Sequence, residues 1–174
     1  MGQYYYPIIL DAEGNIVAWM NAHLYNEGLK LMEHSYIDSL FVNTFEYLLS
    51  QDGPYHKSRV VWAGDYADKE NGQDNNLHDL CHKADSKLIR PEHRSASLYP
   101  YIVNHTKMVY VDKRRLHTLH PLPLLTVEGN GRGGGDIYDA PPIVGSWSRD
   151  VISVEQNISG LGVLTEVVFD LPST

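Results

Sequence analysis

A chain of 174 residues, 43% hydrophobic and 21% charged, has enough apolar content for one globular core, which excludes a wholly disordered protein. Its formal net charge of −8 argues against nucleic-acid binding over a broad face, because neutralising phosphate takes a basic surface. The same acidity either suits a basic partner surface, such as the nucleic-acid groove of another protein, or only keeps the chain in solution.

Cys81 is the only cysteine, so no internal disulfide forms, and a reducing compartment is expected. Met1 to Pro7 lack the basic and apolar regions of a secretory signal, and no apolar run approaches membrane-spanning length. The expected location is the cytoplasm. Twelve tyrosines against three phenylalanines suit strands and interfaces, where a ring can be buried while its hydroxyl stays bonded.

Tyr4 to Leu10 and Ile16 to Met20 flank the turn residues Asp11 to Asn15 and read as a β-hairpin. Leu29 to His34 follows as a short helix. Phe41, Phe45, Leu48 and Leu49 fall on one helical face, capped by Asp38 or Ser39 and stopped by Gln51 to Pro54. Arg59 to Ala63 reads as a strand that ends in Gly64-Asp65-Tyr66-Ala67-Asp68. Leu77, Leu80, Cys81, Ala84 and Leu88 mark a second amphipathic helix, and Glu92 to Ser97 reads as a linker.

A second hairpin joins Tyr99–Val103 to Met108–Val111. Pro121-Leu122-Pro123 is expected to be extended, because proline disfavours helix. Ile143–Trp147, Val151–Glu155 and Val163–Asp170 are strand candidates. The fold class is α+β: a mainly antiparallel sheet with two or three helices in a single domain over 1–174. Both halves, 1–91 and 98–174, run from a hairpin through a loop to a strand, and Ser58–Ala63 can be laid against Arg149–Val154 as the trace of a duplication.

Four groups of residues are candidates for chemistry. The first is Gly129-Asn130-Gly131-Arg132-Gly133-Gly134-Gly135-Asp136, which matches G-x-G-x-x-G in its letters. The segment after it, Asp136 to Pro142, is a poor helix, so the dinucleotide fingerprint is rejected, and no Walker lysine is present. No cofactor is expected. What stays open is a backbone nest that takes an anion with Arg132, or a tight loop whose arginine pairs with Asp136 or Asp139.

The second is the pair Asp65 and Asp68 at a strand end. With His34 added, they are candidates for metal or acid–base work, against the plainer reading of a polar turn. The third is His78, Cys81 and His82 on one helix. Their spacing can ligate zinc, yet Cys81 also completes an apolar stripe, so no metal is assigned. The fourth is Lys113-Arg114-Arg115 with His117 and His120, which reads as a patch for phosphate or an acidic partner, or as a solvated strand end.

Met1 to Tyr5, Gly28 to Glu33, Ala63 to Asp68, Gly129 to Asp136 and Gly145 to Trp147 together resemble the motifs of a protein family of bacterial and bacteriophage genomes. In that family the glycine loop and Gly-Ser-Trp commonly precede Ala-Gly-Asp-Tyr-Ala-Asp. Here the order is reversed, which fits halves that each kept different motifs. The resemblance implies a cytosolic origin and a link to phage or mobile elements, and it brings no catalytic residue with it.

The expected function is therefore binding rather than catalysis. The partner would be a host protein or ribonucleoprotein of a defence system, engaged through a basic groove, as an anti-CRISPR or similar counter-defence factor would engage it. Gly131, Arg132, Gly133, Gly134 and Asp136 would form the contact face with Asp65 and Asp68, with Trp147 as a buried or interfacial anchor. The alternative is a hydrolase acting on nucleotides or nucleic acid, or a nucleotide sponge, built from the glycine loop and the Asp65/Asp68 segment.

Overall fold

The computed structural model describes residues 2–84, 87–91, 99–129, 137, 139–169 and 171. The chain is α+β, with one eight-stranded, mostly antiparallel sheet. The first hairpin is β1 (Tyr5–Leu10) and β2 (Ile16–Trp19), and β1 also pairs with β3 (Ser58–Gly64). The second hairpin is β4 (Tyr101–Asn104) and β5 (Val109–Asp112), and β4 also pairs with β7 (Val151–Glu155). Two short strands, β6 (Val127–Glu128) and β8 (Thr165–Glu166), add the only parallel ladders between named strands, on β3 and β5.

Within the strand order β2-β1-β3-β7-β4-β5-β8, the six strands from β2 to β5 read the same from both ends. A hairpin and a returning strand stand on each side of an antiparallel seam, where Ser58 meets Ile152 and Arg59 meets Val151. The topology thus has the two-part order read in the sequence, but with a corrected alignment. Laying Ser58–Ala63 on Arg149–Val154 sets Trp62 against Ser153, although Trp62 and Val60 face the same core as Ile152 and Val154. Side chains alternate faces with a period of two, so a one-residue shift, Trp62 on Val154 and Val60 on Ile152, is required.

The main core lies on one sheet face under α1 (Leu31–His34), α2 (Leu40–Leu49) and α4 (Pro121–Thr126). Ser39 caps α2, its hydroxyl accepting from Val42 N at 3.1 Å and donating to Glu27 at 2.7 Å. A smaller core on the opposite face joins Tyr6, Ile8, Trp19 and Val61 to Leu77 and Cys81 of α3 (Leu77–His82). That helix is shorter than its apolar spacing predicts. Leu88 instead forms a parallel bridge to Trp19, and Ile89 N bonds Trp19 O at 2.8 Å.

Three further expectations are corrected. Pro121-Leu122-Pro123 is helical, because both prolines sit in the first turn, where backbone donors need no helical acceptor, and the His120 ring accepts from Leu122 N. Ile143–Trp147 is a run of turns, with Val144 N bonded to Pro141 O and Ser146 N to Ile143 O, and with Gly145 at φ 77°. Val163–Asp170 is reduced to the two residues of β8 among those described. The expected linker Glu92–Ser97 lies outside the described residues. Among the described residues, no helix is long and apolar enough to cross a membrane.

Candidate functional site at the ends of β3 and β6

The second edge of β3 is shared. β7 takes its first residues, and β6 takes Trp62 and Ala63, which register with Val127 and Glu128. Because β3 and β6 are parallel, both chains leave the sheet at the same end. The acidic Gly64–Asp68 segment follows one strand, and the glycine loop begins at Gly129 after the other. Gly64 is required at this junction, since a Cβ there would stand 2.9 Å from Glu128 O and 2.9 Å from the Tyr5 ring.

Asp65 extends the β1–β3 ladder. Its N–H donates to Tyr4 O at 3.0 Å, and its carboxylate accepts from Tyr4 N at 3.0 Å. The Asn76 amide then donates to Asp65 O and Ala67 O at 3.1 and 3.0 Å, while its oxygen caps α3 by accepting from Asp79 N. The acidic segment is therefore a built turn, with Tyr66 and Asp68 exposed on it.

Arg149 ties the two loop roots together. Its guanidinium makes a two-pronged pair with Glu70 in the acidic loop, and its Nε donates to Glu128 at 2.7 Å. Ser148 Oγ donates to the same Glu128 oxygen at 2.7 Å. The backbone of Arg149 is held at φ 66°, and its N–H donates to Val60 O at 2.8 Å. Burial opposes the charge, but the bonds to Glu70 and Glu128 outweigh it and hold the guanidinium pKa above its ordinary value. Beside Arg149 opens a cleft of about 500 Å³, lined by Glu13, Asn15, Glu70, Gln73 and Lys87 among others.

The predicted site residues separate. Gly131, Arg132, Gly133, Gly134 and Asp136 lie outside the described residues, although the root of their loop sits beside Gly64. Asp65 and Asp68 are at this end of the sheet, but His34 is in the main core. Its Nδ1–H donates to Gly28 O at 2.8 Å, and its Nε2 accepts from Trp62 Nε1 at 2.9 Å, so both nitrogens are committed and the ring is structural. Trp147 is 2% exposed and its backbone N–H bonds Leu125 O, so of its two expected roles, buried or interfacial, it takes the buried one and packs the core.

Cys81 donates its thiol to His78 O at 3.0 Å within the smaller core, and burial pushes its pKa up to about 12, so the thiol is held in its neutral form. His78 stacks on Tyr6 with ring centres 4.4 Å apart, and neither of its nitrogens has a hydrogen-bond partner among the described residues. No group of three or more His, Cys, Asp or Glu side chains among the described residues is placed to hold a metal ion.

The basic run divides: Arg114, Arg115 and His117 are exposed just after β5, as a solvated strand end, whereas Lys113 and His120 are buried. Lys113 is buried on Glu46 at 2.7 Å, Arg114 pairs with Asp112 at 2.8 Å, and Arg115 pairs with Glu166 at 2.9 Å. His120 is buried on Glu46 as well.

Sequence reasoning missed Arg149, Glu70 and Glu128. Their only trace was a lone arginine between a turn and a strand, and a lone glutamate just before the glycine loop. Compared with protein-family models, curated proteins and solved structures, the chain matches none.

Proposed function

We propose that the protein is a phage- or mobile-element-associated inhibitor that binds a component of a host defence system through the end of the sheet where β3 and β6 emerge. One observation carries this reading: the parallel register of Ala63 with Glu128 brings the roots of two charged loops together at one edge. Arg149 cross-ties their roots, so the surface is held in shape before a partner arrives, and preorganisation lowers the cost of binding. Tyr66 and Asp68 are the exposed contacts on the acidic side, suited to a basic partner groove.

The test is phage plating on hosts carrying defined defence systems, with and without the protein. Restored plating in one defended host, lost in a Tyr66→Ala/Asp68→Lys variant that still folds, is the expected result. Unchanged plating in every defended host, or a variant as active as the parent, rejects the reading.

The cleft beside Arg149 favours a second reading, a nucleotide-acting protein or sponge, because Lys87 and Arg149 stand with side-chain amides in a concave site. Thermal shift with nucleotides and divalent ions separates the two. Stabilisation removed by Lys87→Ala supports the second reading, and flat curves reject it.

A further inference from the structure

The β7–β4–β5 part of the smaller-core face carries no helix among the described residues. Helix α3 covers β1 and β3 on this side, and the other helices bury their apolar sides in the main core. The face is floored by Val103, Ser153 and Glu155, all out of solvent. Above them lies a layer of rings. Tyr101 and Tyr110 meet edge to face with centres 5.8 Å apart, and the Arg114 guanidinium lies 5.1 Å above the Tyr101 ring. His105 Nε2 bonds Ser153 Oγ at 2.6 Å, and His56 Nε2 bonds Glu155 at 2.6 Å.

The carboxylates around this layer have partners: Asp112 pairs with Arg114, Asp150 pairs with Lys107, and Glu155 is hydrogen-bonded to His56. Exposed Lys57, whose charge adds to burial in depressing the basicity of His105, and exposed Arg59, which registers with Val151 on the same face, have no carboxylate partner among the described residues. An acidic chain thus holds a locally cationic, ring-paved sheet face. Flat rings and a guanidinium plane stack bases of any sequence, and nearby cations meet the phosphates.

We propose that this face binds single-stranded nucleic acid, with bases stacked on Tyr110 and on the Arg114–Tyr101 pair and phosphates met by Arg59 and Lys57. The site is separate from the β3/β6 end, so it stands or falls independently of the function proposed above.

The test is fluorescence anisotropy of a labelled thymidine single strand of about 12 nucleotides. Saturable binding that weakens about sevenfold between about 50 and 200 mM salt matches two phosphate contacts on a single strand. Tyr110→Ala is expected to weaken binding about tenfold. Arg59→Glu changes an exposed side chain and carries the test if the ring variant folds poorly; it is expected to weaken binding and flatten the salt dependence. No saturable binding at low salt, an Arg59→Glu variant that binds like the parent, or equal displacement by polyglutamate, the mark of an acidic-peptide site, overturns the proposal.

Discussion

The carbonyl oxygen of Glu128 stands 2.9 Å from the position a Cβ on Gly64 would occupy, so the roots of the acidic and glycine-rich loops touch through bare backbone. Gly64→Ala must push the two strand ends apart. We expect a loss of about 1–3 kcal/mol in chemical denaturation, the usual range for overpacking a tight contact. Gly160→Ala is the control, because a Cβ there meets nothing within 4 Å; it is expected to leave the midpoint unchanged.

Arg149 combines a left-handed backbone with a double ion pair, and two substitutions separate the contributions. Arg149→Ala removes the charge and keeps the backbone cost, whereas Arg149→Gly removes the charge and relieves the backbone. Both leave Glu70 and Glu128 facing each other without a cation. We expect Arg149→Ala to cost about 1–2 kcal/mol, discounted for the exposure of the guanidinium. Arg149→Gly should be about 1 kcal/mol more stable than Arg149→Ala. Equal midpoints for the two variants would show that the backbone angle carries no strain.

Glu46 is out of solvent between Lys113 and His120. Burial pushes its carboxyl pKa up, but the neighbouring His120 and Lys113 outweigh this and hold it below its ordinary value. Glu46→Gln leaves Lys113 buried without a counter-charge and should cost about 3 kcal/mol. The double variant Glu46→Gln/Lys113→Met removes that lone cation and should regain most of the loss. A double variant no better than the single one would refute the ion-pair account.

His78 is buried against Tyr6 with no hydrogen-bond partner on either nitrogen among the described residues. Burial, with His82 adding to it, depresses its pKa below 6.5, against the opposing pull of Asp65 and Asp79. The unfolded chain therefore takes up a proton that the folded ring refuses, so stability falls as pH drops below 6.5 and levels off once the folded ring also titrates. His78→Phe keeps the stack on Tyr6 and removes the titration. Its stability measured from neutral pH into mild acid should decline less steeply than the parent's, and parallel curves would exclude His78 as the source.

The parts of the fold legible in the sequence are those set by local composition and spacing. Apolar runs rich in β-branched and aromatic residues marked both hairpins, β3 and β7, and the spacing of Phe41, Phe45, Leu48 and Leu49 marked α2. What escaped was set by contacts far apart in sequence. Val127 and Glu128 form a two-residue strand only because Trp62 and Ala63 lie beside them, and no pattern of two residues signals that. The Pro121–Thr126 helix was hidden because a proline count ignores position within the first turn. At the candidate site, the sequence pointed to the acidic and glycine loops but not to Arg149. Its role depends on carboxylates that the sheet, not the spacing, delivers. For Trp147 the sequence left a buried and an interfacial role open, and contacts far away in sequence decided it: its backbone is tied to Leu125 and its ring is core.

The antiparallel seam between Arg59 and Val151 has a consequence for synthesis on the ribosome. The first hairpin and β3 are made before β7, which takes the first residues of the second edge of β3. Until β7 follows, that margin is an open template with apolar Val60 and Val61 next to it, able to pair with another nascent copy. Arg59 at its start puts a charge where such pairing would begin. The late arrival of β7 closes the sheet and ends that exposure.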